Sequence, residues 1–381
     1  MEIRKAANSG KRIAWEGSQF VCHSLALINR ELCLQLIDSG FEVSIVPYEN
    51  STFDPGEDPR FDKIVQRTRK PLSGEADIHI RHQWPPNFTP PPHGRWVIIQ
   101  PWEYGRLPVE WIEPMSNLVD EIWVPSKHVL KSYVASGIPL DRVHVIPNGV
   151  NADQFYPHAQ KPFHERPEKF RFLFVGGSLW RKGVDILLKA YRNAFSRRDK
   201  VVLIVKDFPR QMLYPDQGAA GIIREMQRDP NAPEVVHYTE LLDLSRMPGL
   251  YNACHCLVHP YRGEGFGLPV LEAMACGLPV IITAGGSTDD FCPPDYTCHI
   301  PSTREDFRPS DLQLASGAGW LLEPDLDALT ALLREVYENK TEAKERAMAF
   351  SAQIREAYDW RKIAEQVTAR IEKIAGRPVR R

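Results

Sequence analysis

Two runs of alternating strand and helix patterns, separated by a polar stretch rich in turns, predict an α/β protein with parallel sheets. Three observations carry this. Lys11–Trp15 (strand), Ser24–Ile37 (apolar residues at helical spacing, ending at Gly40) and Phe41–Val46 (strand) make a strand–helix–strand unit, and such units imply parallel neighbours. A second alternation starts at Phe170–Val175 and continues through a helix at Asp185–Phe195 and a strand at Val201–Val205. Between them, Pro147-Asn148-Gly149-Val150-Asn151 is a turn signal, and Tyr156–Lys169 is polar and carries Pro157, Pro162 and Pro167. The boundary is expected there, giving domains over 1–160 and 161–355.

Length and composition agree. A chain of 381 residues is long enough for two to three domains with sizeable cores. With 43% hydrophobic and 25% charged residues and a net charge of −2, it reads as a soluble globular protein, and the balanced charge argues against nucleic acid as main partner. No apolar run approaches the roughly 18 residues of a spanning helix, and the first ten residues carry no apolar leader core. Seven scattered cysteines suit reduced thiols and a cytoplasmic setting. Cys254-His255-Cys256 lies in an apolar strand pattern without a second ligand pair, so buried thiols are expected rather than a metal site.

Along the first domain, Glu16-Gly17-Ser18-Gln19 reads as a turn at the carboxyl edge of the sheet, where open α/β folds bind ligands, so Gly17 is a candidate for close approach to a phosphate. A plain loop is the alternative, because G-x-G-x-x-G is absent. Arg60–Lys70 carries five basic residues; a solvated helix face is preferred over contact with an anionic membrane surface. The strand Ala76–Ile80 leads to His82 and Trp84 and a stiff loop with five prolines over Pro85–Pro92. Arg95–Gln100 is another strand, followed by Trp102 and Glu103. His82, Gln100 and Glu103, just past strand ends, are candidates to line a cleft, or else packed corner residues. Glu121–Pro125 and Val143–Ile146 continue the sheet, with a helix near Lys127–Ser136 between them.

The second domain concentrates its chemistry in two glycine loops. Gly176-Gly177-Ser178-Leu179-Trp180-Arg181-Lys182-Gly183 follows a strand and opens a helix, placing two cations where a diphosphate could be neutralised. The segment His259–Pro279 then reads as strand end, glycine loop, short helix and next strand. Gly263, Gly265 and Gly267 allow tight turning and close backbone approach, Pro269 suits a helix start, and Gly277 suits a left-handed helix stop. The helix is expected over Pro269–Cys276. Glu264 lies in the loop and Glu272 in the first turn. Two carboxylates flanking an anion site suit a ligand with phosphate in the middle and hydroxyl-bearing sugars at its ends. The alternative for Glu272 is a first-turn acid that stabilises the helix dipole.

Glu264-Gly265-Phe266-Gly267-Leu268-Pro269-Val270-Leu271-Glu272-Ala273-Met274-Ala275, followed by Gly277-Leu278-Pro279-Val280-Ile281, resembles the signature of the family 4 retaining glycosyltransferases (glycosyltransferases group 1, GT-B fold). Ile146–Val150, Phe174-Val175-Gly176 with Arg181-Lys182-Gly183, Leu250–Cys254 and Tyr358-Asp359-Trp360-Arg361 resemble the family in the same order. The resemblance implies two facing Rossmann-like domains with the active site in the cleft between them, and a C-terminal helix, about 356–381, that crosses back to the first domain. It also implies a nucleotide-sugar donor such as a UDP- or GDP-sugar, used as substrate with neither cofactor nor metal. Under it, Lys182 holds the donor diphosphate, Glu272 the ribose hydroxyls, and Glu264 with the amides of Gly265, Phe266, Gly267 and Leu268 the transferred sugar.

Two departures stand out. The family has Gly-Arg where this chain has Gly176-Gly177, so Arg181 is the candidate substitute at the diphosphate. The family's first-domain histidine is replaced by Gln100-Pro101-Trp102-Glu103, leaving His82 or Glu103 for that acceptor-side role. The missing arginine is the one feature favouring a non-catalytic nucleotide-sugar binder on the same fold. Cys292–Gly317, long and polar, is expected to be a specificity loop or a local insertion. The acceptor, a sugar, lipid or small molecule, and the oligomeric state are not encoded in these motifs; Trp84, Trp102, Tyr104 and Trp111 in first-domain loops suit a sugar-stacking acceptor site, or else core packing.

Overall fold

The computed structural model describes residues 10–48, 58–158, 168–207, 219–307 and 319–376. The first half runs β1 (Arg12–Gly17), α1 (Ser24–Asp38), β2 (Glu42–Pro47), α2 (Phe61–Thr68), β3 (Ile78–His82), β4 (Arg95–Ile99), α3 (Val109–Asn117), β5 (Glu121–Val124), α4 (Lys127–Ala135) and β6 (Val143–Val145). Its strands form one six-stranded sheet in the order β2-β1-β3-β4-β5-β6. Every pairing in it is parallel. The helices start where side chains satisfy their first amides: the His23 ring accepts from the Ala26 amide at α1, and Ser126 accepts from Val129 at α4.

The second half runs β7 (Phe170–Val175), α5 (Val184–Ala194), β8 (Val201–Lys206), α6 (Ala220–Arg228), β9 (Glu234–Tyr238), α7 (Met247–Ala253), β10 (Cys256–His259), α8 (Leu268–Ala275), β11 (Val280–Thr283), β12 (Cys298–Ile300), β13 (Ser302–Phe307) and β14 (Gly319–Pro324). Three helices close the chain: α9 (Leu326–Glu338), α10 (Lys340–Tyr358) and α11 (Trp360–Ala375). A second six-stranded parallel sheet has the order β12-β11-β10-β7-β8-β9. The fold is thus two Rossmann-like α/β units, as the alternation predicted.

Three features refine the sequence reading. β1 extends through Gly17, which pairs with Pro47 and His82 instead of turning. Within 292–317, β12 extends the sheet and β13 pairs antiparallel with β14; residues 308–317 lie outside the described ones. In α2, Arg60 at the cap pairs with Glu31 and Asp58, and Lys63 pairs with Asp38, so much of its basic character is neutralised locally. Cys254 and Cys256 are buried, and burial pushes both thiols above their ordinary range.

The halves are tied at several points. The Val150 amide donates to the Tyr358 carbonyl at 2.8 Å, and a Cβ on Gly149 would lie 2.6 Å from the Trp360 ring. The chain thus crosses back where α10 ends. α11 then buries Ile363, Val367, Ile371 and Ile374 in a core shared with α1, and Arg370 holds the buried Glu121 carboxylate of β5 at 2.6 Å. Across the cleft, Ser126 donates to the Gly265 carbonyl at 2.9 Å and the Lys127 amide donates to Asp290 at 2.7 Å. Among the described residues no helix is long and apolar enough to cross a membrane.

Candidate active site

The two glycine loops of the second domain fold onto one another. Gly183 is left-handed at φ 72°, and a Cβ there would lie 1.8 Å from the Pro260 carbonyl oxygen. The amides of Arg262 and Gly263 both donate to the Arg181 carbonyl, at 2.7 and 3.1 Å. Arg262 locks this arrangement. Its guanidinium binds Asp185 at 2.8 and 3.0 Å and Glu323 at 3.0 Å, and lies 4.5 Å over the Trp180 ring.

This packing brings together residues 82 apart in sequence: Lys182 Nζ donates to Glu264 at 2.8 Å. The Lys182 stem runs over Gly176, where a Cβ would lie 3.1 Å from its Cδ, so a side chain there would displace it. His259, fully buried, meets the same carboxylate through Nε2 at 3.3 Å. Burial holds that imidazole below its ordinary pKa, so it contacts the carboxylate as a neutral donor. Burial alone would raise Glu264. Lys182, the His259 hydrogen bond and Arg181 outweigh it and hold the carboxyl well below the usual range. Glu264 is therefore a fixed anion at neutral pH. Arg181 donates to the Gly263 carbonyl at 2.9 Å and reaches Glu103 of the first domain at 3.3 Å.

α8 begins after Gly267, left-handed at φ 95° and packed so that a Cβ would lie 2.7 Å from Thr288 Cγ2. Gly277 ends it with φ 63°, as expected. The helix starts at Leu268, one residue earlier than predicted, so Glu272 is its fifth residue and lies beyond the first turn. A dipole-stabilising role loses its geometric basis there. Burial instead pushes the Glu272 carboxyl up to about 7, although the Tyr251 hydroxyl donates to it at 2.7 Å. The Phe266 ring packs against Phe291 and Tyr358.

The opposite wall is the carboxyl edge of the first sheet. A Cβ on Gly263 would lie 2.4 Å from the Glu103 carbonyl oxygen, and one on Gly265 would lie 3.1 Å from Pro101 Cβ. These two glycines thus let the first domain close onto the Glu264 loop. Gly17 has a packing role: a Cβ there would lie 2.3 Å from the His82 carbonyl oxygen and 2.6 Å from Asn29. Asn29 gathers this corner, accepting from Trp15 at 3.1 Å, contacting His82 Nδ1 at 2.8 Å, and donating to the His82 and Ser18 carbonyls. Burial depresses the His82 pKa to about 3, so the ring is neutral. Its Nε2 has no hydrogen-bond partner among the described residues. Gln100 is buried, its carbonyl accepting from Tyr133 and its side chain turned to the Pro101 carbonyl. Glu103 joins Arg181, whereas His82 and Gln100 stay in their own wall.

His259, Tyr251, Arg262 and Ser126 escaped the sequence reading. Tyr251, Arg262 and Ser126 act on other elements through pairings set by tertiary packing, which leave no local pattern, whereas His259 ends β10 beside the Glu264 loop and meets that carboxylate locally.

Residues 157–307 match the family model of glycosyl transferases group 1, and residues 78–154 match that of glycosyltransferase family 4. A D-inositol 3-phosphate glycosyltransferase of Paenarthrobacter aurescens is 32% identical over 164 residues, which is 39% of this chain and 37% of that protein. The match thus spans little more than a third of the relative's length. Among solved structures, sucrose-phosphate synthase from Thermosynechococcus elongatus superimposes with a TM-score of 0.69 at 17% identity, covering 95% of this chain and 98% of that one. Anabaena HepE, solved in complex with UDP-glucose, gives a TM-score of 0.66 at 13% identity, covering 95% and 99%. Both likenesses are of fold.

Proposed function

The chain belongs to the group 1, family 4 glycosyltransferases, and from that premise we propose that it moves a hexosyl group from a UDP- or GDP-sugar to a hydroxyl acceptor, with retention of configuration and without metal. The observation that carries this reading is the contact of Lys182 with Glu264 at 2.8 Å, beside Arg181 and at the start of α8.

In this reading Lys182 and Arg181 face the donor diphosphate, and the first turn of α8 adds the positive end of its dipole. Arg181 takes the place of the arginine absent at Gly177. Glu272 receives the ribose hydroxyls. Glu264, with the backbone of Gly265–Leu268, orients the transferred sugar. The bond between the anomeric carbon and the diphosphate oxygen breaks as the acceptor oxygen bonds to that carbon on the same face. The hydroxyl proton passes to the departing phosphate oxygen. The two cations stabilise charge that grows on the leaving group, the site where preorganised electrostatics lowers a barrier most. The HepE complex with UDP-glucose supports a nucleotide-sugar donor on this fold.

The test is release of nucleoside diphosphate from a panel of UDP- and GDP-sugars with a broad acceptor mixture, repeated with Lys182→Ala and Glu264→Ala. Turnover that collapses in both variants supports the proposal. Donor binding without turnover in the wild-type protein would make it a nucleotide-sugar binder.

A further inference from the structure

Of the nine tryptophans, two are substantially exposed: Trp180 at 39%, covered on one face by Arg262, and Trp84 at 41%. Trp84 follows β3 and stands at the front of an aromatic stack. Its ring lies 6.5 Å from Trp102, with planes 28° apart, and 5.8 Å from Trp111, edge to face. Trp102 and Trp111 are themselves buried and 4.9 Å apart, Phe88 backs Trp111 at 6.2 Å, and Tyr104 flanks Trp102 at 5.4 Å. The Trp102 indole N–H donates to the Arg106 carbonyl at 2.9 Å, which fixes the ring behind Trp84. A large apolar ring is thus held rigid from behind and left open in front, an arrangement core packing does not require.

Its position gives the opening a use. Pro101 and Glu103, on either side of Trp102, are the residues that press on Gly265 and Gly263 around Glu264. The stack therefore stands next to the proposed transfer site, on the wall opposite the donor loops. We propose that Trp84 is the platform on which a saccharide acceptor stacks one pyranose ring, presenting a hydroxyl toward the Glu264 loop. The inference rests on the transferase reading and specifies its acceptor class. One indole face matches one sugar ring, whose C–H groups meet the π surface while its hydroxyls stay in water. A lipid surface would require a broad apolar face with basic residues beside it. Here the bases that precede Trp84 in the chain, Arg81 and His82, are buried, and the residue after Trp102 is the acid Glu103.

The experiment is saturation-transfer NMR on the UDP-loaded protein with methyl glucoside, methyl mannoside and methyl galactoside as probes, alongside donor turnover. Ring-proton signals from at least one glycoside are expected. Affinity should fall about tenfold in Trp84→Ala and stay within about threefold in Trp84→Phe, which keeps an aromatic face, while UDP affinity is unchanged in both. Absence of glycoside binding, or equal binding in Trp84→Ala, overturns the platform. Failure of the transferase reading looks different: no nucleoside diphosphate is released by the wild-type protein, whatever Trp84 does. Glycoside binding that depends on Trp84 supports the saccharide site in either case.

Discussion

On the donor wall, charge meets charge: Lys182 with Glu264, Arg181 with Glu103, and Arg262 with Asp185 and Glu323. On the first-domain wall, Glu103 answers Arg181, but His82 is uncharged, Gln100 is turned to its own backbone, and Trp84, Trp102 and Trp111 form an aromatic stack. A wall that meets phosphate needs cations held at fixed points, and cations buried near one another need carboxylates between them. A wall that meets a neutral sugar needs flat surfaces and hydrogen-bond geometry. Under the proposed function this contrast accounts for the strict spacing of one wall and the looser pattern of the other.

The largest effect should come from breaking the charge pair. Lys182→Ala leaves Glu264 buried without its main partner, and loss of a buried ion-pair partner costs about 3 kcal/mol or more. It also removes charge stabilisation worth roughly a hundredfold to a thousandfold in turnover. The double variant Lys182→Ala/Glu264→Gln should recover most of the stability and none of the activity. Urea midpoints and initial rates on the three proteins check this. Recovery of activity in the double variant would sink the catalytic assignment.

Next is the contact between the walls. Gly263→Ala would put a methyl group 2.4 Å from the Glu103 carbonyl oxygen and 2.6 Å from Leu321 Cδ2, so the first domain must back away from the Glu264 loop. Displacing reacting groups by about 1 Å costs on the order of a hundredfold. Gly265→Ala meets nothing nearer than Pro101 Cβ at 3.1 Å and should be milder. If donor hydrolysis and transfer both survive Gly263→Ala, closure of the walls is not part of the reaction.

A smaller effect belongs to the first-domain wall. His82 is neutral in the folded protein to about pH 3, whereas an unfolded histidine titrates near 6.5. The group's folded pKa is depressed, so its contribution is complete above pH 6.5 and is lost progressively as pH falls below it. Between pH 7 and pH 5 the loss is about 2 kcal/mol. His82→Gln should flatten this limb of the stability–pH curve, measured as urea midpoints at pH 5, 6 and 7.

The walls also differed in how far they could be read. Lys182 and Glu264 could be singled out because each sits on a short glycine-rich turn, and Glu272 because Gly267, Pro269 and Gly277 bound its helix. The two sheets were legible because strand and helix periodicities alternate cleanly. Trp84, Trp102 and Trp111 were legible as loop aromatics suited to a sugar or to a core, but their stacking was not, since the three rings meet only when β3, β4 and α3 are packed. Gly17 was misread as part of a turn because a glycine kept small by a neighbouring carbonyl looks the same in sequence as one kept free to turn. His259 and Tyr251 act through contacts that no periodicity encodes.

The smallest effect separates Glu264, in its loop, from Glu272 of α8. Glu264 is ionised at any working pH, but Glu272 carries a carboxyl pushed up to about 7 by burial. Its folded pKa lies above the unfolded value near 4.3, so its favourable contribution to stability is present below that value and is lost as pH rises through about 7. A carboxylate that accepts two ribose hydroxyls must be ionised, so donor binding below pH 7 has to expel a proton. Affinity for a UDP-sugar, whose esterified diphosphate does not titrate in this range, should therefore rise by up to tenfold per pH unit from about pH 5.5 to 7 and level off above it. Glu272→Gln has no proton to lose, and its affinity should be weaker at pH 8 and independent of pH. Calorimetry at pH 6, 7 and 8 in two buffers of different ionisation heat counts the released proton directly. A wild-type profile as flat as that of Glu272→Gln would remove Glu272 from the ribose and return it to the interior of α8.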